Sequence, residues 1–137
     1  MDDILQNEIL TRFIFSSRHF ARRNETIKFG AFMPPRASKD PPLYSPDISV
    51  YRLSGLSDSE KWTIGREYVQ TEGRSIKARA DLPAREVYKN KLKVISDMQP
   101  HERHANITPF PPDRLACQRL ATKLARASKL VMLPEKN

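Results

Sequence analysis

Five prolines, Pro34, Pro35, Pro41, Pro42 and Pro46, fall within thirteen residues of this 137-residue chain. Proline fixes its own φ and has no N–H for a helix or a sheet ladder, so no long regular element passes through this stretch. The segment before it, Arg18 to Lys28, is basic and lacks a helical or alternating pattern. Residues 18–47 therefore read as one long irregular segment. Loops of that length inside a compact domain are uncommon, and are functional or disordered. The regular elements must be short and must fit on either side of it.

Those elements can be read in order. Residues 2–11, with Ile4, Leu5 and Ile9, predict a short helix, and Arg12-Phe13-Ile14-Phe15 a strand. After the irregular segment, Ile48–Leu53 predicts a second strand. Ser57-Asp58-Ser59-Glu60 fits a capping box. It opens a helix from Asp58 to about Val69 that buries Trp62 and Val69 and ends by Gly73. Ser75–Asp81 alternates: Ile76, Ala78 and Ala80 face one way, Lys77, Arg79 and Asp81 the other. Asp81 and Pro83 resemble a helix start, for a helix ending near Lys89. Leu92, Val94 and Ile95 suggest a strand, and Arg103–Thr108 another with His104, Asn106 and Thr108 on one face. Pro112-Asp113 opens a last helix with Cys117, Leu120, Leu124 and Ala127 on one stripe and Arg119, Lys123 and Arg126 on the opposite one. Leu130–Leu133 closes the chain as a strand. This order predicts a single α+β domain over residues 1–137: a two-layer sandwich of a mixed sheet and about four helices, with one long Pro-rich loop.

Charge narrows the partners. Lys and Arg outnumber Asp and Glu by 24 to 16, a net charge of +8, which favours a polyanion such as nucleic acid or an acidic protein over neutral ligands. The bland alternative is a basic surface that only keeps the chain in solution. A single cysteine, Cys117, excludes an intrachain disulfide and fits a reducing compartment. The acidic start Met1-Asp2-Asp3 does not resemble a secretory signal, and no apolar run approaches a membrane span. The expectation is a cytoplasmic protein with no membrane partner; its oligomeric state is open.

Several constellations could carry function. Phe13, Phe15, Phe20, Phe29 and Phe32 are interleaved with Arg18, His19, Arg22, Arg23 and Lys28. Cations that follow phosphates and rings that stack on bases are what single-stranded nucleic acid requires; the competing reading is core phenylalanines beside a solvated loop. Arg79 and His104 lie on polar strand faces. If those strands were neighbours, with the long loop folded over them, they would form a phosphate cleft with Arg79 as clamp and His104 as proton donor. Simple amphipathicity gives the same pattern. Tyr51-Arg52, at a strand end before Ser54-Gly55, offers a third cation for a phosphate, or a partner for Asp47 or Glu60. Its position is similar to that of the first-strand arginine of ADP-ribosyltransferases. The late Gln/Glu-x-Glu pattern of many such enzymes is absent, and their activity is not carried over.

Other chemistries are set aside. The chain has four glycines, no Walker A loop, no G-x-G-x-x-G and no G-x-S-x-G elbow. His101-x-x-His104 lacks partners at a recognised ligand spacing, so no metal and no cofactor are expected. Cys117 lies on an apolar stripe and reads as core. The candidate set is therefore His104, Arg79 and Arg52 for chemistry. Arg18, His19, Phe20, Arg22, Arg23, Lys28, Phe29, Arg119, Lys123 and Arg126 are the candidates for nucleic-acid contact. The expected function is binding of RNA or single-stranded DNA. The alternatives are a metal-independent RNA- or nucleotide-processing enzyme or toxin, and an accessory protein that docks on an acidic partner.

Overall fold

A computed structural model describes residues 4–134. Along the chain run the strands β1 (Ile9–Ile14), β2 (Phe20–Ala21), β3 (Thr26–Ile27), β4 (Arg36–Lys39), β5 (Pro42–Tyr44) and β6 (Ile48–Arg52), followed by β7 (Ala78–Pro83), β8 (Lys93–Ser96), β9 (His104–Thr108) and β10 (Lys129–Met132). The α-helices among the described residues are α1 (Asp58–Ile64), α2 (Ala84–Lys89) and α3 (Arg114–Ala127). Six strands form the central sheet in the order β10-β7-β1-β6-β9-β8.

Every pairing in that sheet is antiparallel, not mixed. The reason lies in β1. The chain leaves β6, passes through α1 and enters β7, the β-α-β order that suggests parallel neighbours. β1, however, lies between β6 and β7 and runs antiparallel to both. The helix count among the described residues also falls short of four, because the first predicted helix does not form over residues 4–11; residues 2 and 3 of that prediction lie outside the described residues. Residues 5–8 make a turn, closed by Glu8 N–H on the Leu5 carbonyl (3.1 Å), and Ile9 already belongs to β1. Alternate residues of β1 enter two different apolar clusters, Leu10 and Ile14 in one and Phe13 in the other, which a helix cannot arrange.

Those two clusters lie on opposite faces of the sheet. Leu10, Ile14, Ile48, Val50, Ala78, Ala80, Ala105 and Ile107 pack with α3, α2 and a 3-10 turn at Phe29–Phe32. Small residues, Ala78 and Ala80 on β7 with Ala121 and Ala125 on α3, share this layer and let sheet and helix approach closely. On the other face, Phe13, Tyr51 and Leu53 pack with Trp62 of α1 and Ile76. A simple two-layer sandwich is therefore corrected: α1 covers part of the second face. Polar side chains on this face are covered as well, with Thr11 at 1%, Arg79 at 2% and His104 at 5% exposure.

The capping box forms as predicted. Ser57 Oγ accepts from Glu60 N–H (3.2 Å), and the Glu60 carboxylate accepts from Ser57 N–H (3.1 Å). The bonds its carboxylate accepts, from Ser57 N–H and from Ser57 Oγ (2.9 Å), hold the Glu60 carboxyl below its usual range. Trp62 is buried. The helix does not reach Val69 as α-helix, because it widens into a π-helical turn, Gly65–Val69. Gly65 lies so close to the core that a Cβ there would stand 2.6 Å from Phe13 Cε1 and 2.7 Å from Ile76 Cδ1.

Asp81 is not a helix cap. Pro83 occupies the N-cap of α2 without a side-chain bond, and the Asp81 carboxylate accepts instead from Thr11 Oγ1 (3.0 Å) and Arg79 Nε (3.3 Å). In α3 the predicted cap is present, with Asp113 accepting from Ala116 N–H (3.0 Å). Cys117 and Leu124 face the core, and Arg119, Lys123 and Arg126 are exposed. The long segment is not one structureless loop. β2 pairs with β3 and β4 with β5, and its Pro-rich half is tied to the start of α3 by Tyr44 N–H on the Pro112 carbonyl (2.9 Å).

Candidate functional site

β1 and β6 separate after two paired positions, Leu10↔Arg52 and Thr11↔Tyr51. Beyond them β1 stays with β7 as far as Ile14↔Ala78, and β6 stays with β9 as far as Ile48↔Ile107. The sheet is thus forked. Arg12 fills the root of the fork: its Nη1 donates to the Ser49 carbonyl (2.8 Å) and its Nε to the Ala31 carbonyl (3.0 Å). A side chain supplies the partner that the missing ladder bond would have given Ser49.

A cleft opens at this fork in two lobes. The larger, about 570 Å³, is lined by Arg12, Phe15, Ser16, His19, Asp47 and Arg74, among others. The smaller, about 260 Å³, is lined by Tyr51, Tyr68, Pro100 and His104, and shares Arg12, Phe13, Phe15, Ser49 and Arg74 with the first.

The cations are held in place. Arg74 leaves a tight turn closed by its own N–H on the Thr71 carbonyl (3.0 Å). Gly73 supplies the positive φ of +77° that this turn needs. The Arg74 guanidinium then lies 4.1 Å from the Phe15 ring centroid. His19 ends a 3-10 turn, Ser17–His19, whose Ser16 hydroxyl accepts from Arg18 N–H (3.1 Å). Its ring rests on Gly30, where a Cβ would come within 2.6 Å.

The electrostatics of the lobe are one-sided. Burial, and then the charge of Arg74, push Arg12 down to about 10. Burial lowers His19 below the usual histidine range, and Arg12 and Arg74 lower it further. Among the described residues neither Arg12 nor Arg74 is paired with a carboxylate, and Asp47 is the one acidic side chain lining either lobe.

The smaller lobe is aromatic. Tyr51 meets Phe13 (5.9 Å between centroids) and His104 (5.3 Å) edge to face, and Tyr68 meets His101 at 4.5 Å. Burial raises the Tyr51 hydroxyl above its usual range, so it stays a proton donor. That hydroxyl has no protein partner among the described residues, and Tyr51 lines the lobe. His104 donates from Nδ1 to the Asp97 carbonyl (2.9 Å).

The predicted chemical set does not converge. β7 and β9 are separated by β1 and β6, so Arg79 and His104 stand about three strand spacings, roughly 14 Å, apart. Arg79 is bound to Asp58 Oδ1 (2.8 Å) and Asp81, lies 4.7 Å from the Trp62 ring, and keeps Nη1 buried without a partner. Arg52 pairs with neither Asp47 nor Glu60; it makes a two-bond fork with Glu8 (2.7 and 2.9 Å). The long segment does not cover an Arg79–His104 face. The 29–32 turn and residues 33–35 instead wall the larger lobe of the fork.

Of the predicted contact residues, His19 lines the cleft. Phe20 is buried and offers no stacking face, whereas Phe29 is half-buried with part of its ring against the core. Arg18, Arg22, Arg23 and Lys28 are exposed on or beside the β2–β3 hairpin. β3 contacts α3, the helix that carries the exposed Arg119, Lys123 and Arg126. Arg12, Arg74, Tyr51 and Tyr68 are the site residues that sequence reasoning missed. Arg12 had a signal, a lone cation in the apolar run Ile9–Ile14; Arg74 had none.

Searches against models of known protein families, curated protein sequences and solved structures each return no significant match. Among the described residues, no group of three or more His, Cys, Asp or Glu side chains is placed to hold a metal ion, and no helix is long and apolar enough to cross a membrane.

Proposed function

We propose that this chain binds single-stranded nucleic acid, RNA or DNA, with one nucleotide seated in the forked cleft. The observation that carries the reading is the Arg12–Arg74 pair: two anchored guanidiniums in one accessible lobe, unpaired with carboxylates. Guanidinium forks match phosphate oxygens geometrically and electrostatically. Holding two such charges together is costly in an empty site and favourable once an anion arrives. The exposed cations of the β2–β3 hairpin and of α3 add contacts to the backbone outside the cleft, consistent with the +8 net charge. A processing enzyme built on Arg79, Arg52 and His104 gains no support, because Arg79 stands three strands from His104 and is bound to Asp58 and Asp81, and Arg52, beside His104 in the sheet, is forked to Glu8.

The test is fluorescence anisotropy with a labelled single-stranded oligonucleotide over a range of salt concentrations. Binding is expected to weaken steeply with salt. Arg74→Glu, on an exposed turn, is expected to weaken it by at least about tenfold without lowering the melting temperature. No binding at low salt, or full binding by Arg74→Glu, refutes the reading.

A further inference from the structure

We infer that the cleft recognises a nucleotide bearing a terminal phosphate monoester, the monoester held by Arg12, Arg74 and His19 and the base lying towards Tyr51 and Tyr68. This rests on the nucleic-acid reading above and narrows it from phosphates in general to a strand end or a free nucleotide.

Charge is the first argument. An internal phosphodiester carries one negative charge, whereas a terminal monoester, with a second pKa of about 6, carries nearly two at neutral pH. The larger lobe gathers two guanidiniums and an imidazole and only one carboxylate, Asp47. Set against Asp47, the two guanidiniums leave one net positive charge, and a proton taken up by His19 raises it to two, the charge of a monoester rather than a diester. The cationic set is also fixed in advance: Arg12 by two backbone carbonyls, Arg74 by the Phe15 ring and its turn, His19 by the Gly30 backbone. Pre-positioned donors lose little side-chain freedom on binding. The charges that face His19 in this lobe are Arg12 from β1, Arg74 from the turn before β7 and Asp47 from the segment before β6. Both arginines disfavour its proton in the empty site, and a dianion between them reverses that effect.

The adjoining lobe supplies the second argument. Its aromatic lining and the unpartnered Tyr51 hydroxyl suit a flat heteroaromatic ring with polar edges rather than another phosphate. A charged lobe beside an aromatic one, joined at Arg12 and Arg74, matches the two halves of a nucleotide.

The experiment compares binding of the full chain to two RNA oligonucleotides of one sequence, labelled at the 3′ end and carrying either a 5′-phosphate or a 5′-hydroxyl. A parallel pair carries the phosphate or hydroxyl at the 3′ end. Unlabelled nucleoside monophosphate and inorganic phosphate serve as competitors. A preference of at least about tenfold for one phosphorylated end is expected. Arg74→Ala should abolish the preference, and the monophosphate should compete far better than inorganic phosphate. Equal binding of phosphorylated and hydroxyl ends overturns the inference while the nucleic-acid reading stands; absence of binding by every oligonucleotide overturns both. Equal competition by inorganic phosphate reduces the site to a simple anion site and overturns the assignment of the base to the Tyr51–Tyr68 lobe.

Discussion

Replacing Arg79 by alanine tests whether the second face of the sheet is an interior. An arginine facing open water would change stability by less than about 0.5 kcal/mol on truncation. Here the side chain is 3% exposed and its partner Asp81 is 15% exposed. Arg79→Ala leaves the Asp81 carboxylate without its cation, and removes a guanidinium that lies 4.7 Å from the Trp62 ring. Breaking a buried pair from one side costs about 3–5 kcal/mol. In a domain of this size each kcal/mol lowers the melting temperature by about 4 °C, so a fall of about 12–20 °C is expected by calorimetry or circular dichroism. The double variant Arg79→Met/Asp81→Leu removes both charges, keeps a long apolar stem against Trp62 and discards the partnerless Nη1, but leaves the buried Thr11 hydroxyl without its acceptor; it should recover part of the loss. A loss below about 1 kcal/mol for Arg79→Ala would refute the burial argument. The outer partner Asp58 adds a pH signature, because the bond and charge of Arg79 hold its carboxyl below the usual range. The stabilisation it gives is present above the unfolded carboxylate value and is lost as the pH falls through the lower folded value.

Gly65→Ala places a methyl group 2.6 Å from Phe13 Cε1 and should cost about 1–3 kcal/mol in a denaturant titration; an unchanged midpoint would show that the π-helical turn can shift freely. His19 should titrate below the usual histidine value by NMR, and Arg74→Ala should move it only part of the way back, since burial is the largest cause and Arg12 stays in place. Stability linked to His19 is present above its unfolded value and lost as the pH falls through its folded one. Cys117 is fully buried, its thiol raised by burial and by Asp113, with Sγ donating to the Pro111 carbonyl (2.8 Å). It should react with a thiol reagent only after denaturation, and rapid labelling of the native chain would contradict this placement.

Where local chemistry decides structure, the sequence was readable. Ser57 and Glu60 cap α1, Asp113 caps α3, and the alternation around Arg79 and His104 assigns both to the face opposite Ala80 and Ala105. What failed was everything set by neighbours distant in sequence. The separation of Arg79 from His104 follows from β1 and β6 standing between their strands, a fact of pairing that no local pattern encodes. Phe20 and Phe29 have the spacing of a stacking platform and serve the core, because burial depends on whether α3 arrives above them. Arg12 was legible only as an anomaly in an apolar strand, and Arg74 is placed by a turn whose partner, the Phe15 ring, lies far back along the chain.

The fork also has a mechanical meaning. Along most of the sheet, neighbouring strands are tied by ladder bonds, and moving them apart would break several at once. Between β1 and β6 the tie past Thr11 is one side chain, Arg12, with a single bond to Ser49 of β6 while its other bond goes to Ala31, so fewer bonds span this opening than join either strand to its outer partner. The aperture is therefore softer than the walls, and its width is governed by the reach of Arg12. A shorter cation such as lysine at this position would alter which molecules fit as well as how tightly they are held.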